Sequence, residues 1–488
     1  MVGSIRLASI PALHRMVFRA SIVTLTSKLK TFMNKSLVKH VIFPLHEKLI
    51  GRKTYQYLDE LEKTQWLKAE EIKSLQLRKL KDLLIHAQKN CSFYRKRFLD
   101  AGFNPSHLKS LDDLDLIPTL NKTDIRQNLN DMLWEKCPGG LHRYNTGGSS
   151  GEPLIFYFDR RRQAYDAAAR ALTHRWWGIE IGDKELYLWG SPLEIKKQDK
   201  LKDLRDTLTN QLLLSAFDLS QTMIPKFMEK IQKFKPKCLF GYPTTIGLFC
   251  QLAFQQGYDL SNIGVEVVFS TAEVLYDHQK EIISKTFGTI PVVDGYGSRE
   301  GGFVSHECPA GSMHVIEQNI IVEYLRDEKP VGPGEDGEIV VTHLDNWGTP
   351  FIRYRTGDVA QFDSKMCECG RHLSIMKKIQ GRITDFVVTP DGRWQHALSL
   401  IYVIRDIPGI LEFKIIQDDV YNIRVLLKVH ESLFPKNGHY LIIKGFKKRM
   451  GEEVNIKIER MDEIPKEASG KYRYVVSKVA EKIFKSLE

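Results

Sequence analysis

Tyr354-Arg355-Thr356-Gly357-Asp358 is the stretch on which the reading of this chain turns. An acidic residue directly after a turn glycine presents a carboxylate that only accepts hydrogen bonds, and the two hydroxyls of a ribose supply matching donors. A nucleotide is therefore the first ligand to consider. Two more segments frame the pentapeptide: Asp294-Gly295-Tyr296-Gly297-Ser298-Arg299-Glu300-Gly301 before it, and Ser469-Gly470-Lys471 near the end.

Working outward, Tyr144-Asn145-Thr146-Gly147-Gly148-Ser149-Ser150-Gly151-Glu152-Pro153 is rich in small residues and hydroxyls. Its backbone N–H groups and side chains suit phosphate oxygens. It lacks the lysine of a Walker loop, which disfavours a P-loop NTPase. A tyrosine between glycines, Tyr296, can lie flat against an adenine, and Glu300 beside phosphates can hold Mg²⁺ through oxygen.

Composition sets the frame. The 488 residues suffice for two or three domains, and 42% hydrophobic content supports ordinary cores. The net charge of +11 draws anions such as ATP, acidic lipid or nucleic acid without choosing among them. Arg6, Arg15, Arg19, Lys28, Lys30, Lys35 and Lys39 all precede the first acidic residue, Glu47, with apolar residues between them. This pattern reads either as a basic segment in peripheral contact with an anionic membrane or as a helix packed on its own domain. No apolar run approaches the ~18 residues that a transmembrane helix needs. The expectation is a cytoplasmic protein, with the basic start as the candidate for membrane contact. Seven scattered cysteines argue against a disulfide framework, and the close pair Cys367 and Cys369 fits a metal site better.

From Arg52 to Leu116 apolar residues recur at three- and four-residue intervals, which predicts helices. Strands are expected at Glu185 to Trp189, Cys238 to Phe240, Val265 to Ser270 and Ile290 to Val293, alternating with helices in an α/β domain whose ligands bind at the strands' carboxyl ends. Past Arg382 short β-like runs, Phe413 to Ile416 and Ile423 to Val429, and a basic helix near Tyr440 to Met450 indicate a small α+β domain. The expected division is a basic extension over 1–52, a large α/β domain over 53–381 and a lid over 382–488.

With these motifs in order, and with Gly381-Arg382-Ile383-Thr384-Asp385 and Ile464-Pro465-Lys466-Glu467-Ala468-Ser469-Gly470-Lys471 added, the chain resembles the adenylate-forming ligase superfamily. It is most similar to the phenylacetate–CoA ligase, coenzyme F390 synthetase-like and capsule-biosynthesis CapK-type branch. The resemblance spans roughly residues 75 to 480. It implies that Thr146, Gly147, Gly148, Ser149, Ser150 and Gly151 grip the phosphates of ATP, that Tyr296, with Gly297, Ser298 and Arg299 around it, stacks on adenine, and that Glu300 binds Mg²⁺. It further implies that Asp358 holds the ribose, that Arg382 contacts the nucleotide from a hinge, and that Lys471 bridges the carboxylate and the α-phosphate. A cation at that place offsets the charge that builds when one anion attacks another. Glu273, in Phe269-Ser270-Thr271-Ala272-Glu273, falls where the family lines its nucleotide and acid pocket; a strand followed by a helix cap explains that run nearly as well.

Three positions depart from the pattern. Leu154 stands where many relatives carry lysine, Arg299 where threonine is usual before the Mg²⁺-binding glutamate, and Thr384 where the hinge has the first of two acidic residues. The implied activity is formation of an acyl-adenylate from ATP and a small carboxylic acid, followed by transfer, commonly to coenzyme A. A sugar amine or hydroxyl is the alternative acceptor, in surface-polysaccharide decoration. A nucleotide-binding protein without catalysis is the reading from a different class. No nucleic-acid recognition signature accompanies the basic residues.

Cys308, His314, Cys367 and Cys369 supply three thiols and an imidazole, enough for a closed, structural tetrahedral Zn²⁺ site. His306 is an alternative to His314. For the acid pocket, Gly241-Tyr242-Pro243 is the stronger candidate because glycine permits close approach of a ligand, whereas Trp176 and Trp177 read as core.

Overall fold

A computed structural model describes residues 33–145, 154–189, 199–215, 219, 221–273, 275–326, 328–380, 386–464 and 475–479. The helical start is as the periodicity predicts: Thr54–Thr64, Ala69–Asn90 and Ser92–Asp100 are helices, followed by 3₁₀ turns at Pro105–His107 and Leu111–Leu116. Ala69–Asn90 begins where the Glu71 carboxylate accepts the Lys68 N–H at 2.8 Å, and Glu70 and Glu71 lie at the positive end of its dipole. Its inward row of Ile72, Leu75, Leu80, Leu83, Leu84 and Ala87 is buried, each leucine worth roughly 1.5–3 kcal/mol over exposure.

Among the described residues the large domain is built on one twelve-stranded sheet. Its parallel half runs in the order Gln211–Ser215, Glu185–Trp189, Cys238–Gly241, Val267–Thr271 and Val292–Ser298. Helices between these strands, such as Ile224–Phe234, turn apolar faces onto the sheet and bury Phe227, Met228 and Ile231. The sheet then becomes antiparallel through Gly302–Glu307, Met313–Val315, Ile375–Gln380, Tyr354–Asp363, Gly337–His343, Ile320–Arg326 and Lys329–Pro330.

The two glycine motifs sit differently from expectation. Strand Ile290 to Val293 was to end before the motif, yet Val292–Ser298 continues through it, and the turn begins at Arg299. Pairing with Gly302–Glu307 is the cause, and it demands the glycines: a Cβ on Gly295 would stand 2.9 Å from the His306 ring, and one on Gly297 2.5 Å from the Gly302 carbonyl oxygen. Tyr354 to Asp358 likewise opens a ten-residue strand.

The smaller unit is α+β. Strands Asn455–Arg460, Asn422–Val429, Ile410–Gln417 and Val475–Ser477 form a sheet in that order, the middle pair antiparallel and each outer strand parallel to its neighbour. Gly438–Met450 packs Ile442 and Phe446 onto a core with Phe413, Ile415, Val425 and Leu427. Among the described residues no helix is long and apolar enough to cross a membrane.

Candidate active site

The described motif residues converge although three strands separate Val292–Ser298 from Tyr354–Asp363 in the sheet order. Gly357 adopts φ +77° and its N–H bonds Glu338 Oε1 at 3.2 Å. The Thr356 hydroxyl donates to the Ile339 carbonyl at 2.8 Å and accepts the Asp358 N–H at 3.1 Å. Arg355 is paired with Glu338 and Glu328. These bonds fix Asp358, whose carboxylate accepts the Tyr296 hydroxyl at 3.0 Å. Burial, and then the Asp358 charge, raise the Tyr296 pKa well above its ordinary value, so the phenol stays a neutral donor.

Glu300 follows in the turn beyond Ser298, which caps it by accepting the Gly301 N–H at 2.7 Å. Glu300 is 9% exposed, and its carboxylate receives the Tyr354 hydroxyl at 3.4 Å and lies 4.0 Å from Lys122 Nζ. Lys122 is the residue that sequence reasoning missed. Leu120 exchanges backbone bonds with Arg353 and Arg355 at 2.7 and 2.8 Å, which lays the start of helix Lys122–Asn128 beside the Tyr354 strand. The contact of Lys122 with Glu300, 178 residues further along the chain, has no local signal in the sequence.

Arg299 donates to the Asn145 carbonyl at 3.2 Å, joining this turn to the approach of the glycine- and serine-rich segment. Strands His142–Asn145 and Ile155–Phe158 flank that segment as an antiparallel pair with Asn145 opposite Ile155. Thr146 to Gly151, Arg382 and Lys471 lie outside the described residues. Glu273 is half-buried, two residues past Thr271, which pairs with Gly295; it thus shares the sheet end of Tyr296. At the start of the motif, Asp294 is pushed up to about 7 by burial and by the nearby Glu307 charge, while Lys280 holds Glu307 at 2.8 Å.

The strands' carboxyl ends carry aromatic walls. Trp189, the last residue of its strand, stacks on Tyr242, just past the end of the next, at 4.2 Å. The expected reason for Gly241 is corrected: its missing Cβ would stand 2.6 Å from the Leu188 carbonyl oxygen, so the neighbouring strand, not a ligand, makes the close approach. Trp176 and Trp177 are half-buried, packed against core clusters, and donate to Gln65 Oε1 and the Glu307 carbonyl.

At the other end of strand Gly302–Glu307, the donor atoms of Cys308, His314, Cys367 and Cys369 all lie within 4.8 Å of one another. The Cys308 and Cys367 sulfurs are 3.6 Å apart, near the ~3.8 Å edge that tetrahedral Zn–S bonds of ~2.3 Å would set. His314 Nε2 is 3.2 Å from Cys369 Sγ, and its Nδ1 faces the Leu373 carbonyl at 3.1 Å. His306 instead lies among Phe303, Phe269 and His174. Arg371 is clamped between Trp66 and Trp176 at 4.6 and 4.3 Å.

Comparison with known proteins agrees with this layout. Residues 387–478 match the CapK C-terminal domain. Protein CapK of Staphylococcus aureus is 24% identical over 435 residues, covering 88% of this chain and 94% of its own. Phenylacetate-coenzyme A ligase of Escherichia coli K12 is 27% identical over 336 residues, 65% of this chain and 73% of its own. A 2-hydroxyisobutyryl-CoA ligase in complex with 2-HIB-AMP and CoA in the thioesterification state superposes with a TM-score of 0.60 at 20% identity, covering 86% and 93% of the two chains. Fold and relatives together define an acyl-adenylate-forming ligase. Over most of its length the chain is similar to CapK, and over about two thirds of it to phenylacetate–coenzyme A ligases.

Proposed function

We propose that the protein activates a carboxylic acid with MgATP to an acyl-adenylate, with release of pyrophosphate, and then passes the acyl group to the thiol of coenzyme A. The observation that carries this reading is the tie between Tyr296 and Asp358 at 3.0 Å, which brings together two motifs 62 residues apart in the sequence. In this reading Asp358 takes the ribose hydroxyls, Tyr296 and the backbone at Gly297 and Ser298 flank adenine, and the 146–151 segment takes the phosphates, with Arg299 beside it. Glu300, an oxygen donor held inside the site, fits Mg²⁺, which would neutralise phosphate charge when bound. Lys122, 4.0 Å from Glu300, supplies the ammonium that Leu154 withholds from the phosphate loop. Lys471 steadies the charge of the attack and withdraws as the lid turns about residues near 382–385, from which Arg382 contacts the nucleotide.

The donor set of Cys308, His314, Cys367 and Cys369 fits Zn²⁺, which would be structural since four protein donors close the tetrahedron. A screen of pyrophosphate release over aryl, fatty and hydroxy acids tests the first step. Analysis of products with and without coenzyme A separates thioester formation from transfer to a sugar amine or hydroxyl. Release with no acid in the panel, or release that no added acid stimulates, contradicts the proposal.

A further inference from the structure

Residues 33–50 form a surface that the proposed reaction leaves unused. The backbone runs as helix Lys35–Leu37, π-helix Val38–Ile42 and helix Phe43–Ile50, and closes at Gly51 in the left-handed region. Its inner side is tied down. Asn210 bonds both the N–H and the carbonyl of Met33 at 2.9 Å, Lys35 pairs with Asp183 and Lys39 with Glu180, each at 2.8 Å, and Tyr55 donates to the Lys39 carbonyl. Val38 is buried, and a Cβ on Gly182 would stand 2.7 Å from the Lys35 carbonyl oxygen.

The outer side presents Leu37, Val41, Leu45 and Leu49, between 43% and 77% exposed, at intervals of four. On a plain α-helix each such step drifts ~40°. The i→i+5 stretch turns the row back, so the four side chains stay on one stripe about 18 Å long. The exposed charge beside the stripe is positive: the single acid, Glu47, is buried and taken up by Arg52 and Thr54, Lys35 and Lys39 are paired inward, and Lys48 is exposed. No Asp or Glu precedes Glu47 in the sequence, and Arg6, Arg15, Arg19, Lys28 and Lys30 lead into the helix.

We propose that this helix docks the protein on an anionic phospholipid surface, with the stripe seated among the acyl chains and the basic residues at the headgroups. A second copy fits less well, because pairing two such stripes would press two basic faces together. The proposal stands apart from the chemistry of the ligase site.

Flotation of the full-length protein with vesicles tests it, using phosphatidylcholine alone and phosphatidylcholine with a third phosphatidylglycerol. The wild type should bind the anionic vesicles, and at least tenfold less to neutral ones or at high salt. The double variant Leu45→Asp/Leu49→Asp should bind anionic vesicles at least tenfold more weakly with an unchanged Tm. Equal binding by the variant, or a wild type that ignores anionic vesicles, overturns the proposal. So does a variant Tm lower by several degrees, which would mean the stripe is covered within the chain, or a wild-type dimer that the variant dissolves.

Discussion

Asp358 reaches the site through a backbone conformation that glycine alone adopts cheaply: Gly357 at φ +77° turns the strand so that the next carboxylate meets Tyr296. Lys122 arrives by a different route, from a helix start sewn onto that strand. Lys122→Ala should lower pyrophosphate exchange about 10²-fold, since it removes one preorganised cation from developing phosphate charge. Exchange within twofold of wild type would remove Lys122 from the site. Asp294 gives a pH signature. Its carboxyl titrates near 7 in the folded chain, above the ordinary aspartate value, so the folded state holds a proton that the unfolded state has lost. Stability therefore falls as pH rises from about 4 to about 7 and stays reduced above it. Asp294→Asn should raise Tm at pH 8 and leave it unchanged near pH 3.5, read by calorimetry; a pH-independent difference would contradict the assignment.

At the scale of elements, the hairpin of Val292–Ser298 and Gly302–Glu307 connects two chemistries, with Glu300 at its turn and Cys308 just past its far end. Arg371, two residues past Cys369, fills the space between Trp66 and Trp176. Metal analysis should find one zinc per chain, absent from Cys367→Ser, whose Tm should fall by several degrees as that clamp loosens. A wild type without zinc, or a variant that retains it, would contradict the assignment.

The parallel strands were legible because fully buried strands read as apolar runs between turn signals, as Glu185–Trp189 does to the residue. The reach of Val292–Ser298 was not, since Asp294, Gly295 and Gly297 are residue types depleted in strands and the segment is held as strand by its partner. Gly241 was misread for a related reason: sequence shows that something comes close, never what.

Across the whole molecule, the order of motifs was legible from end to end, whereas contacts between distant segments, such as Lys122 with Glu300, had no signal in any local pattern. The account asks one large sheet to hold a nucleotide and a small α+β unit to deliver and withdraw Lys471. That division explains why the lysine lies over a hundred residues beyond Asp358. It also predicts that the two half-reactions respond differently to the same substitution.

ATP–pyrophosphate exchange with the best acid of the panel, measured for wild type and Lys471→Ala, tests the central claim most directly. The account expects acid-dependent exchange that falls by at least 10³-fold in the variant while ATP still binds and thioester formation from supplied acyl-adenylate persists. Exchange that survives in Lys471→Ala at the wild-type rate would contradict it.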